Sequence, residues 1–100
     1  MRQYQHPDRD NISLTGVLYA FSDPTRLQIV KMLSEKPEIT CSEFCLEISK
    51  STQSHHFKVL RETGIMYTRL EGTQHYNSLR RQDLDARFPS LLDAVLNGIT

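Results

Sequence analysis

Two pairs of residues in this chain are of types that bind metals or move protons: the adjacent histidines His55 and His56, within SKSTQSHHFKVLRETGI, and the cysteines Cys41 and Cys45. If the first stretch is helical, each residue turns the chain by about 100 degrees, so His55 projects with Ser51, Lys58 and Glu62 while His56 projects close to Leu60. Neighbours on a helix diverge too far to share one ion, and i, i+4 is the spacing that helical chelation requires. His55 is therefore read as part of a polar face, and His56 as a half-buried residue beside the core. Thr52 falls where its hydroxyl reaches a phosphate or its methyl packs inward. Gln53 falls on the apolar side, at an edge from which an amide can meet a base or a phosphate.

The cysteines do have the i, i+4 spacing. Read as a helix, however, their segment places Cys41, Phe44, Cys45 and Ile48 on one face, which makes both thiols small core side chains. The competing reading is a thiol or metalloid sensor, since a cysteine at a helix N-terminus is biased toward the thiolate. Asp83, Asp85 and Asp93 have no histidine partner and read as a solvated face. A phosphate-cradling glycine loop, a zinc-protease His-Glu motif and a nucleophile elbow are all missing from the sequence, so it favours no enzyme class, and no cofactor or metal is expected.

Positioning these residues falls to a succession of short elements. Apolar residues at 14, 17, 18 and 21 predict a first helix. In SDPTRLQIVKML, Asp23 is an N-cap and Pro24 occupies the first helical position, starting a second helix that runs to about Leu33. Thr40 and Glu43 form a capping-box pattern, which predicts a third helix over 41–48. Ser49 caps a fourth through about Thr63, ended by Gly64. A short helix, a tight turn and a longer helix with a hydroxyl-rich start describe a helix-turn-helix, whose second helix can lie in a major groove. IMYTRLEGTQHYNSL reads as a β-hairpin turning at Glu71-Gly72-Thr73, a wing able to lay Arg69 and Gln74 against DNA. Pro89 divides a short helical turn from a final helix that ends at Asn97-Gly98 and carries Leu91, Leu92, Val95, Leu96 and Ile99 on one side.

The expected architecture is mainly α with a β-hairpin wing: a flexible polar arm over residues 1–10 and one domain over 11–100, as suits 100 residues with 38% hydrophobic and 24% charged side chains. Net charge is zero, yet residues 50 to 81 hold six basic and only two acidic side chains. A basic block of this kind is an electrostatic footprint of phosphate binding. Apolar runs are too short for a membrane span, and the polar start lacks a signal-peptide core, so the expected location is the cytoplasm.

FSDPTRLQIVKML, SKSTQSHHFKVLRETGI and EGTQHYNSLR, in this order and spacing, resemble the ArsR/SmtB family of bacterial winged-helix repressors over about residues 12 to 97. The resemblance implies a homodimer joined through the N-terminal and C-terminal helices, a double-stranded DNA operator of two half-sites, and release by an effector. Many relatives sense metals through closely spaced cysteines just before an acidic-aliphatic pair; here Thr40 and Ser42 precede Glu43-Phe44, and only Cys45 matches a family position. The resulting expectation gives Lys50, Thr52, Lys58 and Arg69 to phosphates, Ser51, Ser54 and His55 to base edges, and Gln74 to the wing's contact. Two alternatives stay open: the same scaffold as a Cys41/Cys45 sensor, and a winged helix that binds protein, which would need a nonbasic fourth-helix face.

Overall fold

Helices begin where short polar side chains satisfy the first unpaired amides. Ser13 accepts from the Gly16 amide at 3.1 Å and starts α1 (Leu14–Ala20). Asp23 accepts from Thr25 and Arg26 at 2.9 and 3.0 Å and starts α2 (Pro24–Glu35). The remaining elements of this computed structural model, which describes residues 3 to 99, are β1 (Ile39–Thr40), α3 (Lys50–Glu62), β2 (Met66–Glu71), β3 (Gln74–Leu79), α4 (Arg81–Arg87) and α5 (Leu91–Gly98). Short 3-10 turns stand at Arg9–Asn11 and Cys41–Glu43.

The third helix expected over 41–48 does not form; only the 3-10 turn does. Its start signal is present, since the Glu43 carboxylate accepts from both the amide and the hydroxyl of Thr40, at 2.8 and 2.9 Å. Capping satisfies amides but does not supply the packing that sustains a short helix. Here tertiary contacts act against continuation: Phe44 is buried against Phe57 of α3, ring centroids 5.1 Å apart, and Cys45 turns to a positive φ of 47°. The sequence also concealed β1. It pairs antiparallel with β3, Ile39 opposite Asn77, giving a sheet of order β1-β3-β2. Asn77 anchors that sheet from within: it accepts from Thr68 at 2.7 Å and donates to the Ile39 carbonyl at 3.1 Å, so that three strands share one buried polar network.

The core joins Ile12, Val17, Ile29, Leu33, Leu60, Met66 and Leu92, drawn from nearly every element. Gly64 closes α3 as expected, with φ at 87°, and the Ile65 amide reaches back to the Leu60 carbonyl at 3.0 Å. A side chain there would meet Ile12, whose Cγ1 lies 2.5 Å from the position a Cβ would take. Of the residues expected to form a flexible arm, 1 and 2 lie outside the described ones, while the stretch from Gln3 to Arg9 is placed against the sheet and α4. Gln3 and His6 bond the outer edge of β2, Arg80 donates to the Pro7 carbonyl at 2.8 Å, and Arg9 pairs with Asp83 at 2.7 Å. An open sheet edge supplies unpaired amides for such a segment to use.

Gly64→Ala is expected to lower unfolding stability by about 1 to 3 kcal/mol for the left-handed backbone alone, with the Ile12 overlap adding to it, as denaturant titration would measure. The hydrogen bond from Arg9, helped by Arg80 against the opposing effect of burial, holds the Asp83 carboxyl below its ordinary range. Its stabilising contribution is thus complete above the unfolded pKa and lost as pH falls through the lower folded one. Asp83→Asn should therefore be less stable than the native chain at neutral pH, and the gap should close as pH drops well below about 4.

Candidate nucleic-acid interface

α3 separates two kinds of side chain. Its buried side consists of His56, Phe57, Val59 and Leu60, while Lys50, Ser51, Thr52, Ser54, His55 and Lys58 are all exposed and Gln53 is half-buried. Ser49 caps the helix, accepting from the Thr52 amide at 3.2 Å and donating to the Thr52 hydroxyl at 2.8 Å. Among the described residues neither Lys50 nor Lys58 forms an ion pair. The exposed face of α3 therefore carries hydroxyls, one imidazole, two ammonium groups outside any ion pair and, in its last turn, the Glu62 carboxylate.

His56 fixes the helix on the opposite side. The Arg26 guanidinium lies 3.2 Å from its Nδ1, and a guanidinium has only hydrogens to give, so Nδ1 presents its lone pair and the ring proton sits on Nε2. Nε2 faces the Asp23 carboxylate at 3.8 Å. Arg26 also donates to the carbonyls of Ala20 and Tyr19 at the end of α1, at 2.8 and 3.1 Å, and lies over the Tyr19 ring. Desolvation raises the Asp23 carboxyl, but the Arg26 amide, the charge of the Arg26 guanidinium and the Thr25 amide act against it, leaving this carboxyl below its ordinary pKa. Sequence reasoning found His56 at the core margin but missed Arg26, because nothing in a helical pattern tells a buried arginine from a solvated one. It also missed Arg61, whose guanidinium lies 4.1 Å from the centre of the Tyr4 ring on the flank of α3 facing the wing.

On the wing, Gln74 is exposed at the start of β3, beside the turn. Arg69 differs from the expectation of a phosphate cation. It makes a two-pronged contact with Glu38 at 2.8 and 2.9 Å, a third with Glu71 at 2.7 Å, and lies over the Tyr76 ring. Hydrogen bonds donated to Glu38 and then Glu71 push its already high pKa further up, and the same contact holds Glu38 below the carboxylate range. With two carboxylates on one guanidinium, this part of the wing offers no positive charge to a phosphate.

The cysteines also depart from the small-core reading. Cys45 is exposed, and Cys41 is half-buried, its Sγ 3.4 Å from the Asn77 amide nitrogen. Cys41 opens only a three-residue 3-10 turn, so the helix-terminus effect proposed for its thiol has no helix behind it. Among the described residues, no three His, Cys, Asp or Glu side chains come together as a metal site, and no helix is long and apolar enough to cross a membrane.

A helix presented after a turn, backed by α2 and followed by a hairpin on a three-stranded sheet, defines a winged helix-turn-helix protein. Residues 23–68 match the family model for the bacterial regulatory protein, arsR family. The chain is 36% identical over 83 residues to YceK of Bacillus subtilis (strain 168), an HTH-type transcriptional regulator, covering 79% of this chain and 82% of that one. To the arsenical resistance operon repressor of Staphylococcus xylosus it is 34% identical over 79 residues, covering 72% and 70%. Its fold matches HlyU from Vibrio vulnificus CMCP6 with a TM-score of 0.62 at 32% identity, over 81% of this chain and 84% of that one. HlyU from Vibrio cholerae N16961 gives a TM-score of 0.68 at 27% identity, over 83% and 87%. The chain belongs to the arsR family of bacterial regulatory proteins, and is a DNA-binding transcriptional regulator.

Truncating His56 to alanine leaves Arg26 Nη1 buried without its partner. The expected cost is about 1 to 3 kcal/mol of stability, read from thermal or denaturant unfolding. Helical circular dichroism should be retained well below the melting point, and a variant as stable as the native chain would show that this contact does not hold α3.

Proposed function

We propose that the protein is a dimeric repressor that lays α3 in the major groove of its operator, acting in the cytoplasm. Lys50, Thr52 and Lys58 bond phosphates and set the register, while Ser51, Ser54 and His55 meet base edges. Gln74 supplies the wing's contact, without Arg69. The observation that carries this reading is the exposed face of α3, where six polar residues include two lysines with no carboxylate partner. The names of relatives that repress arsenical resistance operons support repression as the outcome of binding. A protein-docking role for the same face is disfavoured by those bare ammonium groups.

Dimerisation is supported by apolar surface at both ends of the chain. Leu14, Leu18 and Tyr19 of α1 are 47%, 47% and 56% exposed, and Leu91, Val95 and Leu96 of α5 are half-buried around the fully buried Leu92. Pairing of these helices with a second copy removes that surface from water and sets two α3 helices toward two half-sites. Sedimentation should give a dimer at micromolar concentration, and a monomer would overturn the shared-helix assignment.

The test of the groove assignment is selection of a duplex from a random pool, followed by titration of variants. His55→Ala should keep its melting temperature and lose about 1 to 3 kcal/mol of binding to the selected duplex, if the ring reads a base. Lys58→Gln should weaken all sequences alike and flatten the salt dependence by about one unit of slope. Failure to enrich any sequence, with both variants binding as the native chain does, would refute it. A second reading, a thiol or metalloid sensor, has one observation behind it: the exposed Cys45 thiol. Release from the duplex by arsenite, abolished in Cys45→Ser, would establish it.

A further inference from the structure

The N-terminal segment covers basic groups that α3 and the wing would otherwise present together. The Tyr4 ring lies 4.1 Å from the Arg61 guanidinium, and its hydroxyl lies 3.0 Å from Nδ1 of His75 on β3. Tyr4, Arg61 and His75 line a single groove with Lys50, Gln53 and Ser54, the start of the proposed DNA-reading helix. Among the described residues no aspartate or glutamate lines that groove, which has a volume of about 600 Å³. Its basic rim is complementary to a phosphate backbone, but Tyr4 lies across it.

What holds Tyr4 there is the edge of β2. The Thr68 amide donates to Nε2 of His6 at 2.9 Å, and the Leu70 amide donates to Gln3 at 3.1 Å, with Gln3 donating back to the Leu70 carbonyl at 3.4 Å. The His6 ring also stacks on Tyr67, centroids 4.4 Å apart. A backbone amide can only donate, so Nε2 of His6 must carry a lone pair; a protonated ring has none and cannot make this bond.

We infer that Arg61 and His75 form a second phosphate-binding patch beside α3, covered by Tyr4 while His6 is neutral and uncovered when His6 gains a proton. The proposal rests on the DNA-binding reading above. The groups around His6 favour the neutral ring when the segment is closed. Arg80 at the start of α4 and Arg61 on α3 bring positive charge, Tyr67 on β2 and Tyr4 bring phenol rings, and Asp83 on α4 is already paired with both Arg9 and Arg80. Asp8, on the segment itself, is exposed. Burial first, then Arg80 and Arg61, lower the His6 pKa. A ring with a lower pKa closed than released keeps the closed form stable above its ordinary value, and loses that stability as pH falls below about 6.5.

The test uses the full chain with His55→Ala, which removes the exposed imidazole of α3, and the selected duplex. Between about pH 8 and about pH 5.5 its affinity should rise, and its salt dependence should steepen by roughly 1 to 2 units of slope, since each new phosphate contact adds about 0.9. Adding His6→Gln, which offers an uncharged acceptor at every pH, should abolish most of that change. Tyr4→Ala should bind at pH 8 as the parent does at pH 5.5, and a further Arg61→Gln should remove the gain. A pH response that survives His6→Gln, or a Tyr4→Ala variant that binds no tighter, overturns the proposal. Hydrogen exchange without DNA separates the two readings: the Thr68 and Leu70 amides should lose protection, beyond the intrinsic pH effect, as pH falls in the parent but not with His6→Gln. Protection unchanged in both refutes the release of the segment, whether or not DNA binds.

Discussion

A buried guanidinium holds this fold together at the point where its function needs rigidity. Arg26 is 5% exposed, and burying an unpaired charge of this kind would be prohibitive. Its partners are arranged to prevent that: the Ala20 and Tyr19 carbonyls at the end of α1, the lone pair of His56, and the nearby Asp23 carboxylate. One planar group thereby ties the exit of α1 to the start of α2 and the buried side of α3. Lysine could not substitute, because a point charge on a flexible stem cannot address three fixed acceptors in one plane. The orientation of α3 follows from this knot and from Phe57 packing on Phe44.

Much of this was legible in the sequence because the signals were local. Asp23 before Pro24, Ser49 before the hydroxyl-rich helix and Gly64 at its end act through bonds within one turn, and each forms as read. What escaped was decided between distant residues. Thr40 and Glu43 make their reciprocal contact, yet the helix they announce is cut short by Phe44 entering the core. Strand β1 exists because Asn77, almost forty residues on, takes the Ile39 carbonyl. Within the polar stretch 3 to 9, Gln3 and His6 bond a sheet edge and Arg9 pairs with Asp83, contacts that no local pattern announces.

Charge tells the same story at the site. The basic block over 50 to 81 was visible as composition, but composition counts Arg69 and Lys58 equally. Arg69 sits across from Glu71, inside the counted block, and from Glu38, which lies outside it just before β1, and its charge is balanced by the two. Arg80 and Arg81 are likewise engaged, with Asp83 and Asp93. The positive potential that can act on a phosphate is therefore narrower than the block, confined to Lys50, Lys58 and Arg61 along α3. A neutral chain can thus present cationic groups on one helix, because several of its carboxylates, Glu38, Glu71, Asp83 and Asp93 among them, are fixed against cations elsewhere.

The adjacent histidines show how one helix holds both rigidity and recognition. A rotation of about 100 degrees between neighbours sends identical side chains into opposite environments. His56 meets a guanidinium that dictates which nitrogen bears its proton, and its geometry is fixed by the same contact that orients the helix. His55 meets solvent, retains both nitrogens for whatever approaches, and lies in the row of Ser51 and Lys58. Any tilt of α3 that would redirect His55 must first draw His56 off Arg26. The buried ring therefore constrains the direction of the exposed one, and through it a packing contact would enter the proposed reading of DNA.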